Sequence, residues 1–232
     1  MIAAENSIPV LAVLTGPVAT LGPARSAIAK TVQAGPLRLG RLGLAGDQQA
    51  DLRFHGGEDK ALHHYPADHY SYWRARHPAM AGVPVPGGFG ENVSTLGMVE
   101  NTVCVADIYR LGRALVQVSQ PRQPCWKLNI RFGHPDFARW VQESGRTGWY
   151  YRVLEEGEIA AGDALTLQER PRPDWSLARL LRVWYQAPLD RAELAAAADL
   201  PGLPERWRAT ALQRLSQGRV EDWDLRLSTP AS

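Results

Sequence analysis

The polarity pattern divides the chain into two unlike parts. Up to about residue 170, apolar residues come in short β-prone runs: Ile8 to Leu14, Val103 to Tyr109, Ala114 to Ser119, Trp149 to Leu154 and Ala164 to Leu167. Gly16-Pro17, Gly35-Pro36, Gly112, Gly157 and Gly162 punctuate them, as tight turns require. Many short strands with such turns predict a mainly β unit, a barrel or a sandwich. Two helices are expected within it. One spans Ala67 to Arg76 and stops at His77-Pro78, because proline disfavours helical geometry in the residue before it. The other runs from Asp136 to Glu143, with Phe137, Trp140 and Val141 on one face and Gly145 as its stop.

The period changes at Arg170-Pro171-Arg172-Pro173, a stiff boundary. Leu177, Leu180, Leu181 and Trp184 keep helical spacing behind Asp174 as N-cap. Asp190 and Glu193 resemble a capping box that opens an alanine-rich helix. Trp207, Ala211 and Leu215 line a third helix, which Gly218 ends. The expected organisation is a β-rich domain over 1–170 and a small C-terminal three-helix domain over 171–232.

Composition narrows the function. Net charge is only +2, which gives no reason to expect a nucleic acid polymer or a membrane as partner. No apolar run approaches the roughly 20 residues of a membrane helix. The N-terminus lacks the basic segment of an export signal, so Ile8 to Leu14 reads as a first strand and a cytoplasmic location is expected. The two cysteines, Cys104 and Cys125, are too few for a four-cysteine zinc site or a cysteine-ligated iron–sulfur cluster. Only three of the 26 basic residues are lysines: Lys30, Lys60 and Lys127. In so arginine-rich a chain, they mark places where a compact ammonium is wanted.

Three segments carry candidate chemistry. Gly43 to Asp51, followed by His55-Gly56-Gly57-Glu58-Asp59-Lys60, pairs glycines with His, Asp and Lys, as suits a backbone that approaches a ligand closely. Five of the six histidines fall between His55 and His77 without a zinc-binding spacing. His63, His64, His69 and His77 read as ordinary core or helix-surface residues. Gly90-Glu91-Asn92 puts an acid and an amide at the rim of a pocket. In Ser119-Gln120-Pro121-Arg122-Gln123-Pro124-Cys125-Trp126-Lys127-Leu128, two prolines fix a loop that holds Cys125 between Arg122 and Lys127. Neighbouring cations favour a thiolate, the form that attacks electrophiles or binds soft metals. Cys104, inside an apolar run, reads as buried and inert.

These segments resemble those of the MOSC-domain family, and the chain from about Thr15 to Leu227 is similar to its YiiM-type members. The carriers of the resemblance are Ser119 to Leu128, Gly46-Asp47, His55-Gly56-Gly57, Gly90-Glu91-Asn92 and Arg146-Thr147-Gly148-Trp149. One departure is Ala106-Asp107, where relatives often carry Gly-Asp before the Ile108-x-Arg110-x-Gly112 strand. Alanine calls for an unstrained backbone angle there, against a tight glycine turn.

The resemblance implies a β-barrel fold with a C-terminal three-α domain, and the molybdenum cofactor, a molybdenum–molybdopterin, as prosthetic group. It implies Cys125 as the metal ligand. Arg25, Ser26, Lys30, His55, Lys60, Asn92, Ser119 and Arg122 become candidates for binding the pterin and its phosphate. The implied activity is reduction of small N-hydroxylated compounds, such as hydroxylaminopurines and amidoximes. Glu91, Asp59 or His55 would relay protons, and electrons would come from an external flavin reductase, for which the C-terminal helices with Trp175, Trp184, Trp207 and Trp223 are a candidate docking region, although a small packed core is the plainer reading of most of these tryptophans. Two alternatives stand beside this reading. One is a carrier or storage protein for the same cofactor, without turnover. The other is a metal-free cysteine hydrolase with His55 as base.

Overall fold

A computed structural model describes residues 7–51, 56–77 and 85–230. Alternation in Ser7–Thr15 (β1) sends Val10 and Ala12 inward and leaves Leu11 at the surface. The same period-2 logic builds Leu62–His64 (β7), Val93–Thr95 (β8), Ile108–Leu111 (β9), Ala114–Pro121 (β10), Trp149–Glu155 (β11) and Ala164–Glu169 (β13). Among the described residues these strands order as β13-β9-β10-β11-β7-β8-β1, and β1 pairs again with β13. The result is a closed seven-stranded barrel, which leaves none of these strands as a free edge. Pairing is antiparallel except between β7 and β8. Short accessory strands lie outside this ring: Ala19–Leu21 (β2) with Ala24–Ser26 (β3), Thr31–Val32 (β4) beside β1, and Leu37–Gly40 (β5) between Gly43–Leu44 (β6) and Gly157–Ile159 (β12).

Helices Asp68–Arg76 (α1), Lys127–Phe132 (α2) and Phe137–Ser144 (α3) pack with Tyr65 and Phe89 into a second apolar core outside the barrel. Leu177–Tyr185 (α4), Arg191–Ala198 (α5) and Glu205–Gln217 (α6) are the expected three-helix region, followed by Asp224–Leu227 (α7). Their apolar faces join the barrel's own core: Trp175, Leu177, Trp184, Trp207 and Ala211 belong to one cluster with Val105, Val118 and Trp149. Trp175, Trp184 and Trp207 are therefore packing residues, whereas Trp223 is half-buried.

Several local expectations need correction. The N-cap of α4 is Ser176, which accepts from Arg179 N–H; Asp174 is not the cap. Asp190 does cap α5 through Ala192 and Glu193 N–H, but the Glu193 carboxylate turns to Arg179 and Arg182 rather than back to the cap. The run Val103 to Tyr109 is strand only from Ile108, because a tight turn occupies 104–107.

That turn contains the departure at Ala106. The alanine keeps the glycine-like geometry, with φ at 65°, rather than abandoning it. Asp107 holds it there: its carboxylate accepts Cys104 N–H at 2.9 Å and Tyr109 O–H at 3.1 Å, and pairs with Arg170 at 2.7 Å. The Ala106 methyl abuts Gly202 in the three-helix region, where an added Cβ would lie 2.6 Å away. Gly202→Ala, at φ +86°, is expected to cost about 2–3 kcal/mol from backbone strain plus overlap. Adding Ala106→Gly removes the overlap and should restore about 1 kcal/mol or more. A double-mutant cycle by urea unfolding measures this, and strict additivity would refute the contact.

Candidate functional site

Strand pairing decides which side of the barrel wall the site occupies. Trp149, Tyr151, Leu62 and His64 point into the barrel, so the intervening Tyr150 and His63, paired in register, point outward. Their rings meet at 4.9 Å. Loops close over this outer patch: 26–30 after β3, 47–50 after β6, 89–92 before β8 and 122–127 after β10. They enclose a recess of about 80 Å³ lined by Ser26, Lys30, Asp47, Lys60, His63, Asn92, Arg122, Cys125, Lys127 and Tyr150. Cys125 is half-buried and also lines a wider groove of about 850 Å³ that runs out to α6 and the C-terminal segment.

Asp47 is the only acidic residue among the described residues that line the recess, and it organises one wall. Its Oδ1 accepts Gly16 N–H at 2.9 Å, and its Oδ2 accepts Asn92 Nδ2 at 2.8 Å and the buried Lys30 ammonium. Burial pushes the Lys30 pKa down, and Asp47 opposes the shift. Asn92 in turn takes His63 N–H at 3.1 Å and gives a hydrogen bond to Leu14 O. On the other side, Lys60 stands 5.8 Å from the Tyr150 ring centroid. Its pKa is pushed down to about 8 by burial and then by Arg206, with Cys125 pulling the other way.

Two buried polar atoms in the lining lack hydrogen-bond partners among the described residues: Arg122 Nη1 and His63 Nε2. Burial, then Arg122, hold the His63 pKa well below its ordinary value, so the ring is neutral. An unsatisfied buried guanidinium nitrogen calls for an explanation, and for Arg122 a bound anion supplies one.

Not every residue singled out by sequence lines the recess. Arg25 lies in the outer groove and reaches Val18 O. Ser119 is a buttress, its Oγ 2.6 Å from Asp59 O and 3.1 Å from Tyr150 O. The Asp59 carboxylate pairs with Arg152 at 2.6 Å. Glu91 is fully buried, and its oxygens accept Tyr70 O–H, Gly87 N–H and Phe89 N–H, which staples the 87–91 loop. His55 lies outside the described residues. Conversely, His63 is a core histidine by burial yet lines the recess. Its sequence signal was its place beside His64 on a strand, which forces the two rings to opposite faces.

Chain remote in sequence holds the cysteine loop. Trp126 N–H donates to Arg226 O at 2.8 Å, while the Arg226 guanidinium binds Pro124 O and Gln142 Oε1. Arg122 N–H donates to Gly148 O at 2.9 Å, and Gly148 N–H to Glu100 at 2.7 Å.

His64, on the inner face, is tied to Tyr151 and Thr95 hydroxyls at 3.0 and 2.9 Å. Burial, then His69, lower its pKa to about 3. Between that value and the ordinary 6.5, the unfolded chain binds a proton that the folded chain refuses, so stability falls as pH drops through this window. His64→Gln, whose amide can keep both hydrogen bonds, should flatten this loss by up to about 1.4 kcal/mol per pH unit between pH 6 and 4. Urea unfolding at several pH values reads the slope; an unchanged slope would refute a neutral His64.

A MOSC domain model matches residues 51–166, and a YiiM-like, 3-alpha helix domain model matches residues 175–218. Protein YiiM of Escherichia coli (strain K12) is 42% identical over 202 residues, covering 87% of this chain and 90% of that one. The chain belongs to the MOSC-domain family, in its YiiM branch. The crystal structure of YiiM from Escherichia coli superposes with a TM-score of 0.82 at 36% identity, over 96% of this chain and 99% of that one. YiiM from Geobacillus stearothermophilus gives a TM-score of 0.76 at 37% identity, over 90% and 99%. A Gibberella moniliformis protein named Reductase is 41% identical over 181 residues, 78% of this chain but 32% of that protein. This MOSC protein therefore shares the barrel and three-helix architecture of its relatives over nearly its whole length. No helix among its described residues is long and apolar enough to cross a membrane.

Proposed function

We propose that this MOSC protein is a molybdenum-cofactor-dependent reductase that converts N-hydroxylated compounds, such as hydroxylaminopurines and amidoximes, to amines or amidines. The observation that carries the reading is the donor set of the recess. Among the described lining residues a half-buried thiol shares the recess with Lys30, Lys60, Arg122 and Lys127 and one carboxylate, and a buried Arg122 nitrogen is left unsatisfied. That set fits an anionic, sulfur-rich group: thiolate suits a soft metal, and cations with orphan nitrogens suit phosphate oxygens. Among the described residues no cluster of three or more His, Cys, Asp or Glu could hold a metal ion by itself, so the metal would arrive with ligands of its own.

Cys125 would ligate molybdenum, and Arg122, Lys30, Ser26, Asn92 and His63 would hold the pterin and its phosphate. Bound there, the cofactor would supply the two-electron redox chemistry that the side chains lack. The cation-rich lining offsets negative charge, and the Asp47–Lys30–Asn92 wall fixes the recess before anything binds. We assign Glu91 and Asp59 to positioning rather than proton transfer, since their carboxylates brace the 87–91 loop and Arg152. Electrons would come from a separate flavin reductase, because two cysteines cannot build a cluster.

The test is purification from a host that makes molybdopterin, followed by metal analysis and turnover of 6-hydroxylaminopurine with a flavin reductase supplied. Stoichiometric molybdenum with turnover is expected. Molybdenum without turnover would make the protein a carrier, and absence of molybdenum would overturn the cofactor assignment.

A further inference from the structure

Helix α6 carries two stripes. Trp207, Ala211 and Arg214 face inward: the apolar pair joins the main core, and Arg214 is buried against Trp184 and Glu221. One position earlier in each turn, Arg206, Thr210 and Gln213 form a polar stripe that lines the groove onto which Cys125 opens. The Arg206 charge is felt at Lys60, where it is the second cause of the lowered pKa, so the helix reaches into the electrostatics of the site. At about 850 Å³ the groove has the size of a small-molecule pocket rather than the flatness of a protein-docking face. Trp126 and Trp223, both half-buried, add aromatic surface to it.

We propose that this stripe is the substrate-recognition wall of the site, which places specificity in the three-helix region while the barrel supplies the cofactor recess; the inference rests on the reductase reading above. Its chemistry selects a planar nitrogen heterocycle with a donor beside an acceptor on one edge. A primary amide such as Gln213 matches a ring N–H next to a ring nitrogen, the purine edge remote from the hydroxylamino group, in two hydrogen bonds, a guanidinium matches ring acceptors, and indole surface stacks on the plane. An acyclic amidoxime offers neither a ring edge nor an aromatic plane for these groups to recognise.

Two readouts test this. In turnover, Gln213→Leu and Arg206→Ala are each expected to lower the ratio of kcat/KM for 6-hydroxylaminopurine to that for acetamidoxime about tenfold, mostly through KM, the scale of a lost hydrogen bond in a desolvated site. In calorimetry without turnover, the same variants should bind adenine about tenfold more weakly than the unsubstituted protein. An unchanged ratio, an equal loss for both substrates, or a rise confined to the KM for the flavin reductase would overturn the proposal. Failure of the reductase reading is a different result: the unsubstituted protein would reduce neither substrate, whereas the adenine titration would still report on the wall.

Discussion

Cys125→Ser and Cys125→Ala are expected to fold normally and to lose turnover of N-hydroxylated substrate at least about a hundredfold, the upper end of what even an outer partner of a metal ligand costs when removed. The reason lies in the loop. Cys125 sits at the end of a segment already held by Arg122 N–H on Gly148 O, by Trp126 N–H on Arg226 O and by the Arg226 guanidinium on Pro124 O. None of these bonds uses the thiol, so its exchange leaves the loop in place while removing the one soft donor among the described lining residues. Retained molybdenum is the second readout. Both variants should purify with far less metal than the unsubstituted protein, at an unchanged unfolding midpoint. Full activity in both would refute the ligand role, and loss of the folded state would refute the account of the loop.

Gly148→Ala should have the largest effect on stability. The glycine lies at φ +68°, a region costly for a residue with a Cβ. An added Cβ would run into His64 O more closely than real Cβ atoms approach an oxygen, and would lie 2.9 Å from Tyr65 Cδ2 and 3.2 Å from His63 Nε2. The first obstacle is backbone of the paired strand β7, which no side-chain rotation relieves. Strain and overlap together should cost about 4 kcal/mol or more, a large share of the stability of a typical domain. The expected result is an insoluble protein, or one with a sharply lowered urea midpoint. A stability within about 1 kcal/mol of the unsubstituted chain would contradict the packing described here. The same position braces the recess wall, since Gly148 bridges Arg122 to Glu100.

These two residues also mark how far sequence reading reaches. Cys125 is legible because local signals converge on it: a strand end, two prolines and flanking cations are all within a few positions. Lys30, Lys60, Asn92 and Arg122 are likewise brought to the recess they were expected to share. The readings that shifted depend on contacts distant in sequence. Glu91 and Asp59 carry the right chemistry, but their orientation is set by Tyr70 and Arg152, partners 21 and 93 positions away. Ala106 looks incompatible with a tight turn until Asp107 is seen bound to Arg170, 63 positions on, which stabilises a backbone angle that alanine avoids by itself.

By itself the sequence determined a mainly β unit followed by helices, the family resemblance that implied a barrel, and Cys125 as the candidate reactive residue, because hydrophobic period, turn residues and short motifs are local quantities. Only the tertiary structure decided that the recess lies on the outer face of the barrel wall, that His63 belongs to it, and that helix α6 and Arg226 reach back to a cysteine far earlier in the chain. Those facts depend on strand register and on long-range packing, which bring together residues that no local pattern connects.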